Sequence, residues 1–403
     1  MSEYIDNQGQ RKEKLKAIIR RLHEGQSVED VKEEFAALLQ DVGASEISDI
    51  EQALIEEGLP ESEIKRLCDV HVAVFRESLD QQPRQAVVSG HPIDVMQAEN
   101  EAAEEVLDRL GQAIEHAAWD QARQHLRELR QYDRHYLRKE NILFPYLEKH
   151  GFSGPSAVMW AIHDDVRDGW KKLVNLLEDE ANAEHVSDTF ETLDRTIREM
   201  FYKEENILFP TAMDRLSEEE WAEIHAQGPE IGYCYVTPGE YAAESAAPER
   251  HVTATPVQAP QTSQIPKSVG QIGLETGALS PYEINWMLKH LPVDVTYVDK
   301  DDTVRFFSQT KERIFPRSPA IIGRAVQKCH PPASVDRVQR ILDDFRTGRR
   351  DEAEFWIQMQ GKFIHIRYFA LRDAGGAYQG TIEVSQDVTH IRQLEGERRL
   401  LDE

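Results

Sequence analysis

Six consecutive residues occur twice in this chain. Glu140-Asn141-Ile142-Leu143-Phe144-Pro145 returns as Glu205-Asn206-Ile207-Leu208-Phe209-Pro210. Each copy lies late in a stretch whose apolar residues recur at three-and-four spacing, the period of an amphipathic helix. Such repetition describes two helix pairs related by duplication. The proline in each copy is compatible with a helix end or with a kinked last turn. The predicted helices span 92–117, 119–149, 155–180 and 184–215. Gly151, Gly154 and Pro155 divide the second from the third, and residues 181–188 divide the third from the fourth. Long helices on short connections are antiparallel neighbours, so the expected architecture here is an up-down four-helix bundle.

Polar residues interrupt the apolar stripes of these helices. Asn100 falls among Met96, Ala103, Leu107, Leu110 and Ile114, with Glu99 beside it. Glu140 falls on the stripe of Leu129, Tyr136, Leu143 and Leu147, and His135 lies one position away. His163 shares a face with Met159, Val166, Trp170, Leu173 and Leu177. Glu204, with Glu205 adjacent, shares a face with Leu193, Ile197, Met200 and Ile207. A buried carboxylate is costly unless it is paired or bound to a metal. Oxygen and imidazole donors that meet inside a bundle are the usual construction of a non-haem iron site.

The rest of the chain divides by composition. Residues 1–85 read as short helices: 12–22, one capped by Ser27 over 28–39, one ending at Gly58, and one from Pro60 to about Leu79 that carries Cys68 and His71. Residues 86–235 hold the bundle. Residues 236–275 form a linker in which Pro238, Pro248, Pro256, Pro260 and Pro266 are scattered among Ala, Ser, Thr and Gln. Residues 276–403 are mixed. Val293–Asp299 and Thr303–Ser308 read as a hairpin, Ser334–Phe345 as a helix, and Glu352–Met359, Phe363–Leu371 and Gly380–Val388 as three further strands. That order describes an α+β domain on one antiparallel sheet, with Thr389–Leu401 as a final charged helix.

Composition excludes several classes of function. The formal net charge of −26 repels phosphate backbones, which speaks against a nucleic-acid partner. No apolar run approaches the ~18 residues of a membrane span, and the N-terminus lacks the apolar segment of a signal peptide. The three cysteines, Cys68, Cys234 and Cys329, are far apart, as expected of a protein of the reducing cytoplasm.

His135 with Leu143-Phe144-Pro145 closing ten residues on, the repeat itself, and Ile162-His163-Asp164-Asp165-Val166-Arg167 resemble the hemerythrin, or HHE cation-binding, domain. Cys68–His71, Gly90-His91-Pro92, Arg138–Gly151 and Glu230-Ile231-Gly232-Tyr233-Cys234 resemble one bacterial branch, the proteins of domain of unknown function 438. Those proteins join an N-terminal region to a hemerythrin-like domain and a PAS domain. The resemblance implies a metal held by His135, His163 and Glu204. It also marks departures. The family pattern has His where Asn100 stands, Glu where Lys139 stands and His where Met200 stands. Three protein ligands are too few for a well-filled di-iron centre. Replacement donors are His91, Glu99, Glu140, Glu205 and His71, with Glu140 available only if its helix rotates.

Residues 280–390 resemble a PAS domain, closing on Gly380–Thr389. The PAS fold does not name its ligand. Cys329 and His330 are its one local pair of haem-type donors, and a turn with a packed cysteine is the alternative. The expected protein is a cytoplasmic sensor of oxygen, nitric oxide or redox state, with non-haem iron in the bundle, a signalling partner, and a homodimer contact through the PAS domain. The alternatives are an iron-dependent oxidoreductase or iron-cluster repair protein, and an interaction scaffold with a vestigial site.

Overall fold

The computed structural model describes residues 87–178, 183–239, 271–311 and 313–397, together with the isolated positions Lys14, Ala17 and Arg21. The expectations for the N-terminal helices, for His71 and for most of the linker lie outside the described residues. The chain divides into two compact units, the first made mainly of residues up to Glu244 and the second mainly of those after it.

In the first unit, α1 spans Pro92–Glu115 and α2 spans Trp119–Leu129. A short 3-10 turn, Arg130–Tyr132, leads to α3, Asp133–Arg138. After a π turn at Lys139–Leu143 comes α4, Phe144–Lys149. Helix α5 is Gly154–Glu178 and α6 is Ala183–Lys203. A second π turn, Glu204–Leu208, precedes α7, Phe209–Arg215. Helix α1 packs on α2 and α6, and α5 packs on the same two, which closes the expected four-membered ring. Gly169 permits close approach of α5 and α6, since a Cβ there would stand 2.9 Å from Leu193 Cδ1.

Two features of this unit differ from the sequence reading. The expected helix 119–149 is segmented rather than continuous, and a further helix follows the four, α8, Glu218–Ile231. Ser217 and Glu220 open α8 with a reciprocal capping box, which supplies partners for two otherwise orphaned N–H groups.

The segmentation has a local cause that both copies of the repeat share. Phe144 N–H bonds to Lys139 O, and Phe209 N–H bonds to Glu204 O, each five residues back. Pro145 and Pro210 follow directly. A proline gives no N–H to the carbonyl four residues earlier, and its ring crowds that carbonyl. A widened turn relieves the crowding. It also turns more of the chain inward: Lys139, Glu140, Asn141, Ile142 and Leu143 are all buried. The rotation needed to admit Glu140 to the core is thus supplied by the wide turn.

The second unit begins with the hairpin β1, Ile272–Leu274, and β2, Gly277–Leu279, and with α9, Pro281–His290. None of these was foreseen. Its sheet comprises β3 (Asp294–Asp299), β4 (Val304–Phe307), β5 (Glu352–Met359), β6 (Lys362–Arg372) and β7 (Tyr378–Asp387). The order is β4-β3-β7-β6-β5, antiparallel throughout. Helix α10, Pro332–Arg346, lies between β4 and β5 in sequence. The four-helix bundle and the α+β antiparallel sheet are therefore as expected, and every strand of the five was anticipated within two residues. The final charged helix is a correction. Through Glu397 the chain after β7 forms only a 3-10 turn at Ile391–Gln393, and residues 398–403 lie outside the described residues. The apolar residues of 389–397 are too sparse to hold a helix against the domain.

Candidate metal centre

Three carboxylates are buried in the bundle: Glu99 on α1, Glu140 in the first π turn and Glu204 in the second. Two buried imidazoles stand among them. His135 on α3 places Nδ1 2.9 Å from Glu99 Oε2 and Nε2 3.1 Å from Glu204 Oε2. His163 on α5 places Nδ1 2.7 Å from Glu140 Oε1. Its Nε2 is buried and has no hydrogen-bond partner, and neither has the Tyr136 hydroxyl. The Tyr136 ring stacks on His163 with centroids 4.1 Å apart, and Tyr132 stacks on His135 at 4.6 Å.

Each carboxylate also faces a cation. Lys139 Nζ pairs with Glu204 Oε1, and Arg138 pairs with Glu99. Arg167 grips both oxygens of Glu140, at 2.9 and 3.0 Å. Asn100 Nδ2 donates to Glu204 Oε2 at 3.0 Å, and Asn100 Oδ1 accepts from the Tyr132 hydroxyl. The Glu230–Cys234 motif closes this end of the network. Cys234 N–H donates to Glu99 Oε1 at 2.9 Å, and Arg138 donates to Gly232 O at 2.6 Å.

Burial and pairing set the protonation of these groups. Burial pushes the Glu204 carboxyl up, but Lys139 and His135 together outweigh it and hold it at about 2. For Glu99 burial is likewise outweighed, by His135 and Arg138, and the carboxyl stays below its usual range. Glu140 is pushed up to about 7 by burial, which Arg167 opposes. Burial, helped by Lys139 and Arg167, drives His163 well below the usual imidazole value, so the ring is neutral.

Of the expected donors, the structure brings together Glu99, His135, Glu140, His163 and Glu204, with Asn100. His91 is placed elsewhere. Its Nδ1 accepts from Ile93 N–H as the cap of α1, its ring packs on Trp221 with centroids 4.6 Å apart, and it lies nine residues before Asn100. That separation is about 13 Å along a helix. Glu205 is only half-buried, since the second π turn gives the inner position to Glu204. In the second unit, Cys329 packs in the apolar cluster of Val298, Val304, Ile321, Val326 and Leu342, and His330 Nδ1 lies 2.8 Å from Val326 O. Both are used by the fold in the manner of the packed-turn alternative.

Sequence reasoning did not foresee the three cations or the two tyrosines as members of the site. Tyr136 reads as an ordinary stripe residue. In the sequence Arg138 is only the start of a motif, and Lys139 only stands where the family pattern has Glu. The signal for Lys139 is the proline of the repeat, which favours the wide turn.

The donors gathered here are fewer than two ions need. Two ions would require a further set of anionic ligands, and Asn100, Lys139 and Met200 stand where the resemblance requires them. A single ion has His135, His163 and Glu204 to draw on. Both imidazoles have Nδ1 held by a buried carboxylate, the arrangement that orients a ligating histidine; Nε2 of His163 has no partner, and Nε2 of His135 faces Glu204. As the side chains stand, no three His, Cys, Asp or Glu groups among the described residues converge on one point. Lys139 holds Glu204 instead.

Three protein families match within this one chain: a family of unknown function, DUF438, over residues 15–81, the hemerythrin HHE cation-binding domain over 91–212, and a PAS domain over 284–389. A C-terminal domain from Streptococcus mutans is 35% identical, over 32% of this chain and 98% of its own, with a TM-score of 0.30. A sensory box sensor histidine kinase from Vibrio cholerae is 13% identical, over 27% of this chain and 90% of its own, with a TM-score of 0.22. A PAS domain from Colwellia psychrerythraea is 11% identical, over 27% and 97% respectively, with a TM-score of 0.23. None of the curated proteins matches the chain. Among the described residues no helix is long and apolar enough to cross a membrane. An HHE domain implies binding of a cation, typically iron, and PAS domains are signalling modules, so the pairing suggests a metal-binding signalling or sensor protein. The chain belongs to the hemerythrin HHE cation-binding domain proteins that carry a DUF438 segment and a PAS domain in the same polypeptide.

Proposed function

We propose that this protein is a metal-dependent sensor of oxygen, nitric oxide or redox state, a binding module rather than an enzyme, in which the bundle holds one non-haem iron ion. The observation that carries this reading is the pair of oriented histidines. Glu99 and Glu140 hold the Nδ1 atoms of His135 and His163, and His163 Nε2 is buried without a partner. His135, His163 and Glu204 would hold the ion, a set of two imidazoles and a carboxylate that suits ferrous iron. When bound, iron with an open position supplies an electron-rich site for a diatomic ligand. The chain's own residues do the rest. Arg138 and Arg167 neutralise the outer carboxylates, so that Glu99 and Glu140 orient the rings while only Glu204 remains to contribute charge. The sealed aromatic walls, Tyr132, Tyr136 and Phe144, exclude bulk water. A shift of the bundle on ligand binding would pass to a protein partner, with the PAS domain as relay or second input.

The test is anaerobic loading with Fe(II), followed by exposure to oxygen or nitric oxide. A ligand-linked optical band without turnover of peroxide or nitric oxide supports the sensor, and turnover supports the enzyme reading. A second reading, the interaction scaffold, draws on a different observation: each of the six oxygens of Glu99, Glu140 and Glu204 already accepts a hydrogen bond or ion pair from the protein. Absence of iron under every loading condition would select it.

A further inference from the structure

We propose that Lys139 is the resident cation of this bundle, and that its ammonium holds Glu204 where a metal ion would, so that the site loads an ion only as Lys139 leaves. The inference rests on the single-ion reading above and concerns the chain's own competitor for that ion.

The geometry places Lys139 with care. The side chain is fully buried, its Nζ pairs with Glu204 Oε1, and it lies 4.8 Å from the centroid of the Tyr136 ring. A lysine ammonium is among the groups least often enclosed in a core, and it persists there only with a partner. Here the partner is Glu204, the carboxylate of the three that pairs with a lysine and not with an arginine. Glu99 has Arg138 and Glu140 has Arg167. Each of these three carboxylates therefore has a cationic partner without a metal.

The pairing has a direct consequence for ion uptake. Lys139 holds Glu204 Oε1 while His135 faces Oε2 of the same carboxylate, so an ion beside His135 would stand one carboxylate away from the ammonium. A divalent ion arriving between His135 and Glu204 adds charge beside an ammonium in a medium of low polarity, where like charges repel strongly. Uptake must therefore expel the ammonium from Glu204. The other two cations are spared, because their carboxylates lie behind the imidazoles. Lys139 thus sets a threshold: metal enters only where its affinity exceeds that of an ion pair already in place, and the apo bundle stays folded below it. Lys139 stands at the first position of the π turn, which places its side chain inside the bundle.

The experiment is a Fe(II) titration of the full chain under anaerobic conditions by calorimetry, repeated with Co(II) and its visible bands, for the parent, Lys139→Met and Lys139→Arg. Helix content is recorded by circular dichroism before and after addition. Lys139→Met, which keeps the volume and removes the charge, is expected to bind at least about tenfold more tightly than the parent. Lys139→Arg, which keeps the charge, is expected to bind no more tightly than the parent. If Lys139→Met loses helix content without metal, its recovery on adding Fe(II) carries the same conclusion, and failure to recover overturns it. Equal affinity in parent and Lys139→Met overturns the competitor role and leaves the single-ion reading standing. No binding in any of the three overturns both.

Discussion

A buried ammonium is stable only against a buried anion, and the reverse holds for Glu204, so each member of the Lys139–Glu204 pair is the condition for the other. The same logic applies to Arg138 and Glu99. Breaking a buried pair by removing one partner leaves a charge with no compensation and costs about 3–5 kcal/mol. Arg138→Met is therefore expected to lower unfolding free energy by that amount in urea titrations. Arg198, which pairs with Glu104, Asp108 and Asp194 on the exposed side of α6 with its side chain 32% accessible, is expected to change stability by less than about 1 kcal/mol on the same substitution. Acid sensitivity has a sign that follows from Glu204. Its usual value is 4.5 and its folded value is about 2, so its stabilising effect is complete above pH 4.5 and is lost as pH falls toward 2. Glu140 runs the other way: held at about 7, it favours the fold most below 4.5 and loses that effect as pH rises through 7. Urea midpoints across pH for Glu204→Gln and Glu140→Gln are expected to lose the acid and the neutral slopes respectively. At this scale the sequence reading reached the carboxylates and histidines, since each interrupts an apolar stripe or lies next to one. It did not reach Lys139, Arg138 and Arg167, since a charged residue beside a stripe normally points to water; the widened turn carries Lys139 inward, and Arg138 and Arg167 are drawn in by the buried carboxylates Glu99 and Glu140.

Regular periodicity explains which elements could be foreseen. Bundle helices and sheet strands have long apolar patterns, and their limits fall close to the expected ones. The hairpin β1–β2 is three residues per strand and exposed, so it has almost no pattern to detect. Helix α9 buries none of its residues, and its signal is the Ser280–Glu283 capping box rather than a stripe. In the sheet, Gly380 pairs with Asp299 at φ +148°, and a Cβ there would lie 2.4 Å from Val298 O. Gly380→Ala is expected to destabilise the second unit by about 2–4 kcal/mol through backbone strain and overpacking. Differential scanning calorimetry should show the transition of that unit falling while the bundle transition is unmoved. An unchanged profile would mean that β3 and β7 separate freely at that end.

On the scale of the molecule, two units with separate cores carry two kinds of module in one chain. The Pro- and Ala-rich composition of 236–275 predicts that limited proteolysis cuts there and releases a bundle fragment and a PAS fragment, each with its own cooperative unfolding transition. Resistance of that segment to several proteases would contradict the expected linker. The central claim is narrower than this organisation: one iron ion in the bundle, held by His135, His163 and Glu204 against the competition of Lys139. Its most direct measurement is the iron content per chain after anaerobic Fe(II) loading and desalting, in the parent and in a His135→Ala, His163→Ala double variant whose helix content matches the parent. The account predicts one iron per chain in the parent and none in the double variant. Two irons per chain, or iron retained in the double variant, would contradict it.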